Sequence, residues 1–188
     1  MNEIKKEFQE ARSVLDTFLS DDNNFLKIEQ AGQIMVDSLK FGGKLISCGN
    51  GGSMSDAMHF AEELSGQFRN RRKALAAISI SDPSHITCTA NDFGFENIFS
   101  RFVEAMGHDG DVLVAISTSG NSTNVINAAL AAKEKGMKIV GLTGKEGGRL
   151  AALCDAEIRA PFTEFSDRTQ EMHIKIIHAL IHYIEMNI

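Results

Sequence analysis

The hydrophobic positions of this chain follow two different spacings. Apolar residues recur three to four positions apart over residues 2–19 and 25–41, which predicts two amphipathic helices at the start of the chain. After Gly42 and Gly43, short and nearly continuous apolar runs begin. These runs predict strands at residues 44–48, 75–80, 111–116, 138–142 and 156–160. Helical spacing between and after them predicts helices at residues 53–64, 84–90, 97–106, 122–135, 148–153 and 166–186.

Strands that alternate with helices predict an α/β fold with a parallel sheet between two helical layers. The expected architecture is a three-layer α-β-α sandwich with a five-stranded parallel sheet and two extra helices before the first strand. The chain has 188 residues and no linker, so we expect a single domain over residues 1–188. The helices within residues 1–41 either bury an oligomer interface or pack on the sheet of their own domain.

Charge and cysteine content narrow the class of protein. A net charge of −6 argues against a nucleic-acid surface, and the basic cluster at residues 69–73 is interpreted as a local anion or subunit contact. Cys48, Cys88 and Cys154 lack C-x-x-C spacing, so they predict neither a disulfide framework nor a structural zinc site. There is no signal-like stretch and no run near the ~18 apolar residues of a membrane span, so we expect no membrane partner and a cytoplasmic location.

A glycine-rich turn follows the first predicted strand. Gly49-Asn50-Gly51-Gly52-Ser53 could bind an anion through backbone N–H groups, or it could be a purely structural turn between strand and helix. It lacks the lysine of a P-loop, and Met54 stands where a dinucleotide fingerprint has its third glycine. The sequence therefore predicts no nucleotide cofactor.

A second polar loop, Ser117-Thr118-Ser119-Gly120-Asn121-Ser122, follows the third predicted strand and precedes a helix. Its four hydroxyl groups at a helix N-terminus suit a phosphate, because hydroxyl and N–H groups donate and the helix dipole adds to them. The alternative is a helix cap, which needs only one hydroxyl. Both polar loops are expected at the carboxyl edge of the sheet, where sites form in such folds.

Two helices carry the candidate chemical groups. His59 and Glu63 are four residues apart on one helix face and suit proton transfer or metal binding, unless Glu63 is simply solvated like its neighbour Glu62. On the last helix, Gln170 and His178 flank Ile174 on a slowly drifting stripe. That stripe indicates either a partly buried polar pair or ordinary helix packing.

The segments GNGGS, STSGNS and LTGKEGG resemble the sugar isomerase (SIS) domain family, which binds phosphosugars. Together with DAMHFAEEL, NDFGF and DRTQEMHIKIIH they resemble, over essentially the whole chain, the phosphoheptose isomerases within that family. The resemblance implies the SIS fold and a homotetramer with active sites between subunits, and we expect the helices of residues 1–41 to take part in oligomerisation. It also implies conversion of sedoheptulose 7-phosphate to D-glycero-D-manno-heptose 7-phosphate, the first step of ADP-heptose synthesis for lipopolysaccharide core.

The resemblance also implies roles for individual residues. Glu63 matches the proton-abstracting carboxylate, and His178 matches its acid/base partner. The positions that match substrate contacts are Asn50, Gly51, Gly52, Ser53, Glu63, Asn91, Asp92, Ser117, Thr118, Ser119, Ser122 and Gln170. The positions that match a zinc site are His59, Glu63, Gln170 and His178. Because glutamine is an uncommon zinc ligand and zinc would lower the basicity of Glu63, we expect this site to be weakly occupied.

Two non-catalytic alternatives remain open. The resemblance extends to a tetramer of the same fold that binds a replication initiator, and a domain of this kind could also sense a sugar phosphate without turning it over. A pure binding protein needs no carboxylate base. The presence of both Glu63 and His178 therefore favours the enzyme.

Overall fold

The computed structural model of the chain describes residues 2–188. Two helices come first, α1 (Asn2–Leu19) and α2 (Asn23–Lys40). Helix α2 packs on the sheet of its own chain and contributes buried Ile28, Met35 and Val36 to the core. Helix α1 buries only Phe18, and its Ile4 and Phe8 are 67% and 74% exposed. The two helices therefore differ in how much they bury, although α2 also presents an apolar side chain to the outside, since its Leu26 is 61% exposed.

Five parallel strands form one sheet in the order β2-β1-β3-β4-β5. The strands are β1 (Leu45–Gly49), β2 (Ala77–Ser79), β3 (Val112–Ser117), β4 (Lys138–Thr143) and β5 (Ala156–Arg159). The predicted five-stranded parallel sheet is thus confirmed. Gly49 pairs with Ile116, and Ser117 pairs with Thr143. This register brings the carboxyl ends of β1, β3 and β4 to the same edge, and the polar loops after β1 and β3 lie there.

The remaining helices cover both faces of the sheet, as predicted. They are α3 (Gly52–Ser65), α4 (Pro83–Phe93), α5 (Ser100–Met106), α6 (Thr123–Glu134), α7 (Gly148–Ala151) and α8 (Ser166–Asn187). Alternate residues of β3 enter two separate cores, Val112 and Val114 on one face and Leu113 and Ala115 on the other. The first core includes α2, α3 and α8, and the second includes α5 and α6. Because α3 and α8 share the first core, their side chains can meet above the sheet edge.

The structure corrects some predicted boundaries. Residues 97–106 do not form one helix, since a 3₁₀ turn at Phe95–Asn97 precedes α5 and the joint between them buries Ile98 and Phe99. Strand β2 is shorter than residues 75–80 because the Leu75 N–H donates to the Leu64 carbonyl of α3 rather than to the sheet. Within residues 2–188, none of the helices combines the length and apolar character needed to cross a membrane.

Candidate active site

The glycine turn after β1 sets the start of α3 against the first turns of α8. Gly51 has a φ of +56°, a conformation that side-chain-bearing residues rarely adopt. A Cβ atom on Gly52 would lie 2.5 Å from Oε1 of Gln170. Gly52 therefore leaves room for the Gln170 amide beside the turn. This contact joins two candidate segments that lie far apart in the sequence.

Helices α3 and α8 bring three candidate side chains together within one chain. Nε2 of His59 lies 3.2 Å from Oε1 of Glu63, and Nε2 of His178 lies 3.3 Å from Nε2 of His59. One ligand atom from each of the three residues lies within 4.8 Å of the other two. All three side chains are half-buried. The structure thus places Glu63 next to His178, the two residues that the resemblance matched to a base and its partner.

Hydrogen bonds alone do not satisfy this cluster. Nε2 of His59 faces both the Glu63 carboxylate and Nε2 of His178. If this nitrogen carries a proton and donates to Glu63, it has no lone pair for His178; if it accepts from His178, it cannot donate to Glu63. Lone pairs that converge in this way suit a shared cation. Two histidines and one glutamate are also a donor set of catalytic zinc sites, which keep a further position open.

An open groove beside the cluster contains the fourth expected ligand. His59 and Gln170 both line it, together with Asp56 of α3. Burial raises the pKa of Asp56 to about 6, and positive charge on His59 opposes the shift. One carboxylate oxygen of Asp56, Oδ2, is buried without a hydrogen-bond partner among the described residues. Asp56 was not predicted as a site residue, although it lies one turn before His59 on the same helix face.

The environment of His178 favours its neutral form. Burial lowers the pKa of His178 below its ordinary value, and nearby His59 lowers it further, while Glu63 opposes both effects. The Phe68 ring lies 5.7 Å from the His178 ring, centroid to centroid, and adds to this burial. A neutral imidazole can donate from one ring nitrogen and accept at the other. His178 can therefore take part in proton transfer near neutral pH.

The hydroxyl-rich loop after β3 has a compact structure. The hydroxyl groups of Ser117 and Ser122 lie 3.0 Å apart, and the Asn121 N–H donates to Oγ of Ser119 over 3.1 Å. Gly120 has a φ of +65° and accepts a backbone hydrogen bond from Leu150. The Ser122 side chain makes no capping bond to α6. The loop therefore presents its hydroxyl groups beside a helix N-terminus whose first N–H groups lack intrahelical partners.

A pair of asparagine side chains joins the two polar loops. The amides of Asn50 and Asn124 exchange two hydrogen bonds, each 2.9 Å long. Asn50 lies in the glycine turn, and Asn124 is buried in the first turn of α6, where its Oδ1 also accepts from the Val125 N–H. Asn124 was not predicted as a site residue, because no pattern in the sequence distinguishes it. The neighbouring register of β1 and β3 is what brings it opposite Asn50.

Asn91 and Asp92 lie apart from these groups. Both are exposed on α4, where Nδ2 of Asn91 donates to Oδ1 of Asp92 over 2.7 Å. The contacts described for residues 2–188 do not connect them to either polar loop or to the His59 cluster. Their proposed role in substrate binding stays a prediction.

Comparison with known proteins places the chain in a family. The SIS domain matches residues 8–144. Phosphoheptose isomerase from Glaesserella parasuis serovar 5 is 57% identical over 183 residues, which cover 97% of this chain and 95% of that relative. The chain belongs to the phosphoheptose isomerases of the SIS domain family. A second relative of the same name, from Escherichia fergusonii, is 58% identical over 182 residues, with 97% of this chain and 95% of the relative covered.

Solved phosphoheptose isomerase structures share the whole fold. The structure of GmhA from Neisseria gonorrhoeae matches with a TM-score of 0.91 at 39% identity and covers 98% of both chains. The structure from Francisella tularensis matches with a TM-score of 0.93 at 34% identity and covers 98% of this chain and 97% of that one. The SIS-type α/β fold and membership of a sugar-phosphate isomerase family follow from these matches.

Proposed function

We propose that this chain is an aldose–ketose isomerase that converts sedoheptulose 7-phosphate to D-glycero-D-manno-heptose 7-phosphate. The observation that carries the proposal is the approach of Glu63 to His178 from two different helices, in one cluster whose ligand atoms lie within 4.8 Å of each other. The polar loops after β1 and β3 lie at the edge of the sheet where α3 begins. This arrangement supports the proposal, because groups suited to proton transfer and groups suited to phosphate binding lie in one chain.

The reaction moves one proton between neighbouring carbons. Glu63 removes a proton from C1 of the ketose, an enediol(ate) forms, and the proton returns at C2. Since the Glu63 side chain is 18% exposed, its carboxylate is partly shielded from water, which favours a reactive base. His178 is held largely neutral by burial, and from its ring it exchanges a proton with the oxygen on which charge develops.

Substrate positioning is assigned to the remaining candidate residues. Ser117, Thr118, Ser119 and Ser122 hold the phosphate, and the glycine turn approaches the sugar. Further contacts to the sugar are assigned to Asn50, Gly51, Gly52, Ser53, Asn91, Asp92 and Gln170. Holding the far end of a seven-carbon chain orients the reacting carbons, and such orientation is a large part of many enzymatic rate enhancements.

Zinc is proposed as a weakly held ion at His59, Glu63, Gln170 and His178. Three of these residues, His59, Glu63 and His178, form the converging cluster, and Gln170 lines the groove beside His59. When bound, zinc supplies a Lewis acid that polarises a carbonyl oxygen. Metal analysis of protein purified without chelator, followed by zinc removal and return, tests this assignment. Full activity of rigorously metal-free protein would rule out an obligatory zinc.

Assembly and cellular role complete the proposal. The exposed apolar residues Ile4 and Phe8 of α1 support a homotetramer in which the N-terminal helices form subunit contacts. The cytoplasm and heptose synthesis for lipopolysaccharide are the proposed setting. Incubation with sedoheptulose 7-phosphate, with NMR detection of the aldose, tests the activity. A protein that binds the ketose without forming the aldose would instead be a sensor or a binding module.

A further inference from the structure

Arg72, within the basic cluster at residues 69–73, turns into the molecule. Its side chain is 11% exposed. The guanidinium donates to the main-chain carbonyls of Glu63 over 2.7 Å and Leu64 over 2.8 Å, and from Nε to Oε1 of Glu185 over 3.0 Å. It also donates to the carbonyl of Lys73 over 3.1 Å. One planar group therefore contacts the end of α3, the following loop and α8.

The contact to α3 lies at the residue proposed as the catalytic base. Glu63 and Leu64 are in the last turn of α3, where main-chain carbonyls have no donor within the helix. The helix ends at Ser65, and the N–H of the following Gly66 donates to the carbonyl of Glu62. Arg72 satisfies the next two carbonyls and places a positive charge at the negative end of the helix dipole. The backbone that carries the Glu63 carboxylate is therefore held by Arg72.

The contact to α8 lies on the helix that carries His178. Glu185 comes seven residues after His178, which is two helical turns, so both project from the same side of α8. The Glu185 side chain is only 1% exposed, and Arg72 is its ion-pair partner. Through this pair, the end of α3 and the last turns of α8 are tied to one another.

We propose that Arg72 is a positioning residue that sets the separation of Glu63 from His178. This inference rests on the proposed function, in which those two groups act on the same substrate. Arginine suits the role because its rigid fork reaches several acceptors in fixed directions, whereas a lysine ammonium is a single point charge on a flexible stem. A misplacement of about 1 Å at a reacting group can cost on the order of 100-fold in rate.

The test compares two variants with a matched control. Arg72→Lys keeps the charge and loses the fork, and the double variant Arg72→Met with Glu185→Met removes both charges, so that no unpaired charge is buried. We expect kcat to fall tenfold or more in both variants while KM stays within twofold of wild type. Lys44→Met is the control, because it breaks another partly buried ion pair, with Asp111. Lys44 and Asp111 directly precede β1 and β3, at the edge of the sheet opposite the candidate site. It should lower the urea midpoint and leave kcat unchanged.

Two results would overturn the proposal. One is a wild-type kcat in both folded Arg72 variants. The other is an equal loss of kcat in Lys44→Met, which would indicate a general effect of lost stability. If the wild type itself does not isomerise sedoheptulose 7-phosphate, the proposed function fails, and crystal structures of wild type and Arg72→Lys then decide the positioning claim. The claim predicts a larger separation between Glu63 and His178 in the variant, and an unchanged separation contradicts it.

Discussion

Replacing Asn124 with alanine should uncouple the two polar loops of the site. The Asn124 side chain is 3% exposed and exchanges two hydrogen bonds of 2.9 Å with Asn50. Its Oδ1 also accepts from the Val125 N–H. Truncation removes all three bonds. It also leaves a space between the turn after β1 and the start of α6.

The size of the effect follows from these bonds. A hydrogen bond of this kind contributes about 1 kcal/mol net, and the half-buried Asn50 amide can recover part of its loss by bonding to water. We therefore expect the free energy of unfolding to fall by about 2 kcal/mol. If the loops hold the phosphate jointly, KM should rise by roughly 5- to 30-fold, which corresponds to one or two kcal/mol. The effect on kcat should be smaller, because Glu63 and His178 are held by α3 and α8.

Urea unfolding and initial-rate kinetics measure both quantities. Asn127→Ala is the matched control, since Asn127 is on the same helix and donates one bond, to the Glu96 carbonyl over 3.0 Å. Similar changes in the Asn124 and Asn127 variants would mean that the pairing of Asn124 with Asn50 has no special role. A double-mutant cycle with Asn50→Ala sharpens the result, because side chains in contact show coupling energies of roughly 0.5–3 kcal/mol. A coupling near zero would mean that the amide pair does not link the loops.

Two further predictions concern stability. His173 is fully buried, with Nε2 2.8 Å from the carbonyl oxygen of Thr143, and burial lowers its pKa from 6.5 to about 4. The unfolded chain therefore binds a proton that the folded chain does not between these values, so stability should fall as pH drops from 6.5 toward 4, by up to about 3 kcal/mol. Asp56, whose pKa is raised to about 6, acts in the opposite sense below that pH, so the comparison is between wild type and His173→Gln at pH 5 and pH 7 by urea unfolding. Equal pH dependence in both proteins would contradict the assignment. Gly120→Ala should destabilise far more than Gly51→Ala, because a Cβ on Gly120 would lie 1.9 Å from the Gly147 carbonyl oxygen, whereas a Cβ on Gly51 meets nothing within 4 Å. Since both glycines have positive φ, the strain of about 1–2 kcal/mol is common to the two variants, and equal losses in melting temperature would show that the clash does not matter.

The helices and strands could be predicted well, because each depends on the spacing of apolar residues within a short segment. Apolar runs of strand length and helical spacing placed all five strands, and the i, i+4 rule placed His59 beside Glu63. The shortening of β2 could not be predicted, because it depends on a hydrogen bond from Leu75 to the end of α3. Edge strands have a sheet partner on one side only, so their ends yield readily to such competition.

The site was predicted less completely, because it depends on contacts between distant segments. Nothing in the spacing of residues indicates that α8 packs beside α3, so His178 was matched to Glu63 by family resemblance rather than by pattern. Asn124 looks like an ordinary residue in the first turn of a helix until the strand register sets it opposite Asn50. Arg72 likewise belongs to a basic cluster in the sequence. Only the folded structure shows that its side chain points inward.

The proposed mechanism requires Glu63 to move a proton between C1 and C2 of sedoheptulose 7-phosphate. The most direct measurement follows the ketose by NMR in the presence of wild type or Glu63→Gln, with ketose binding to each protein measured by calorimetry. We expect wild type to form the aldose, and we expect the variant to bind the ketose but form no aldose. Aldose formation by Glu63→Gln, or ketose binding without turnover by wild type, would contradict it.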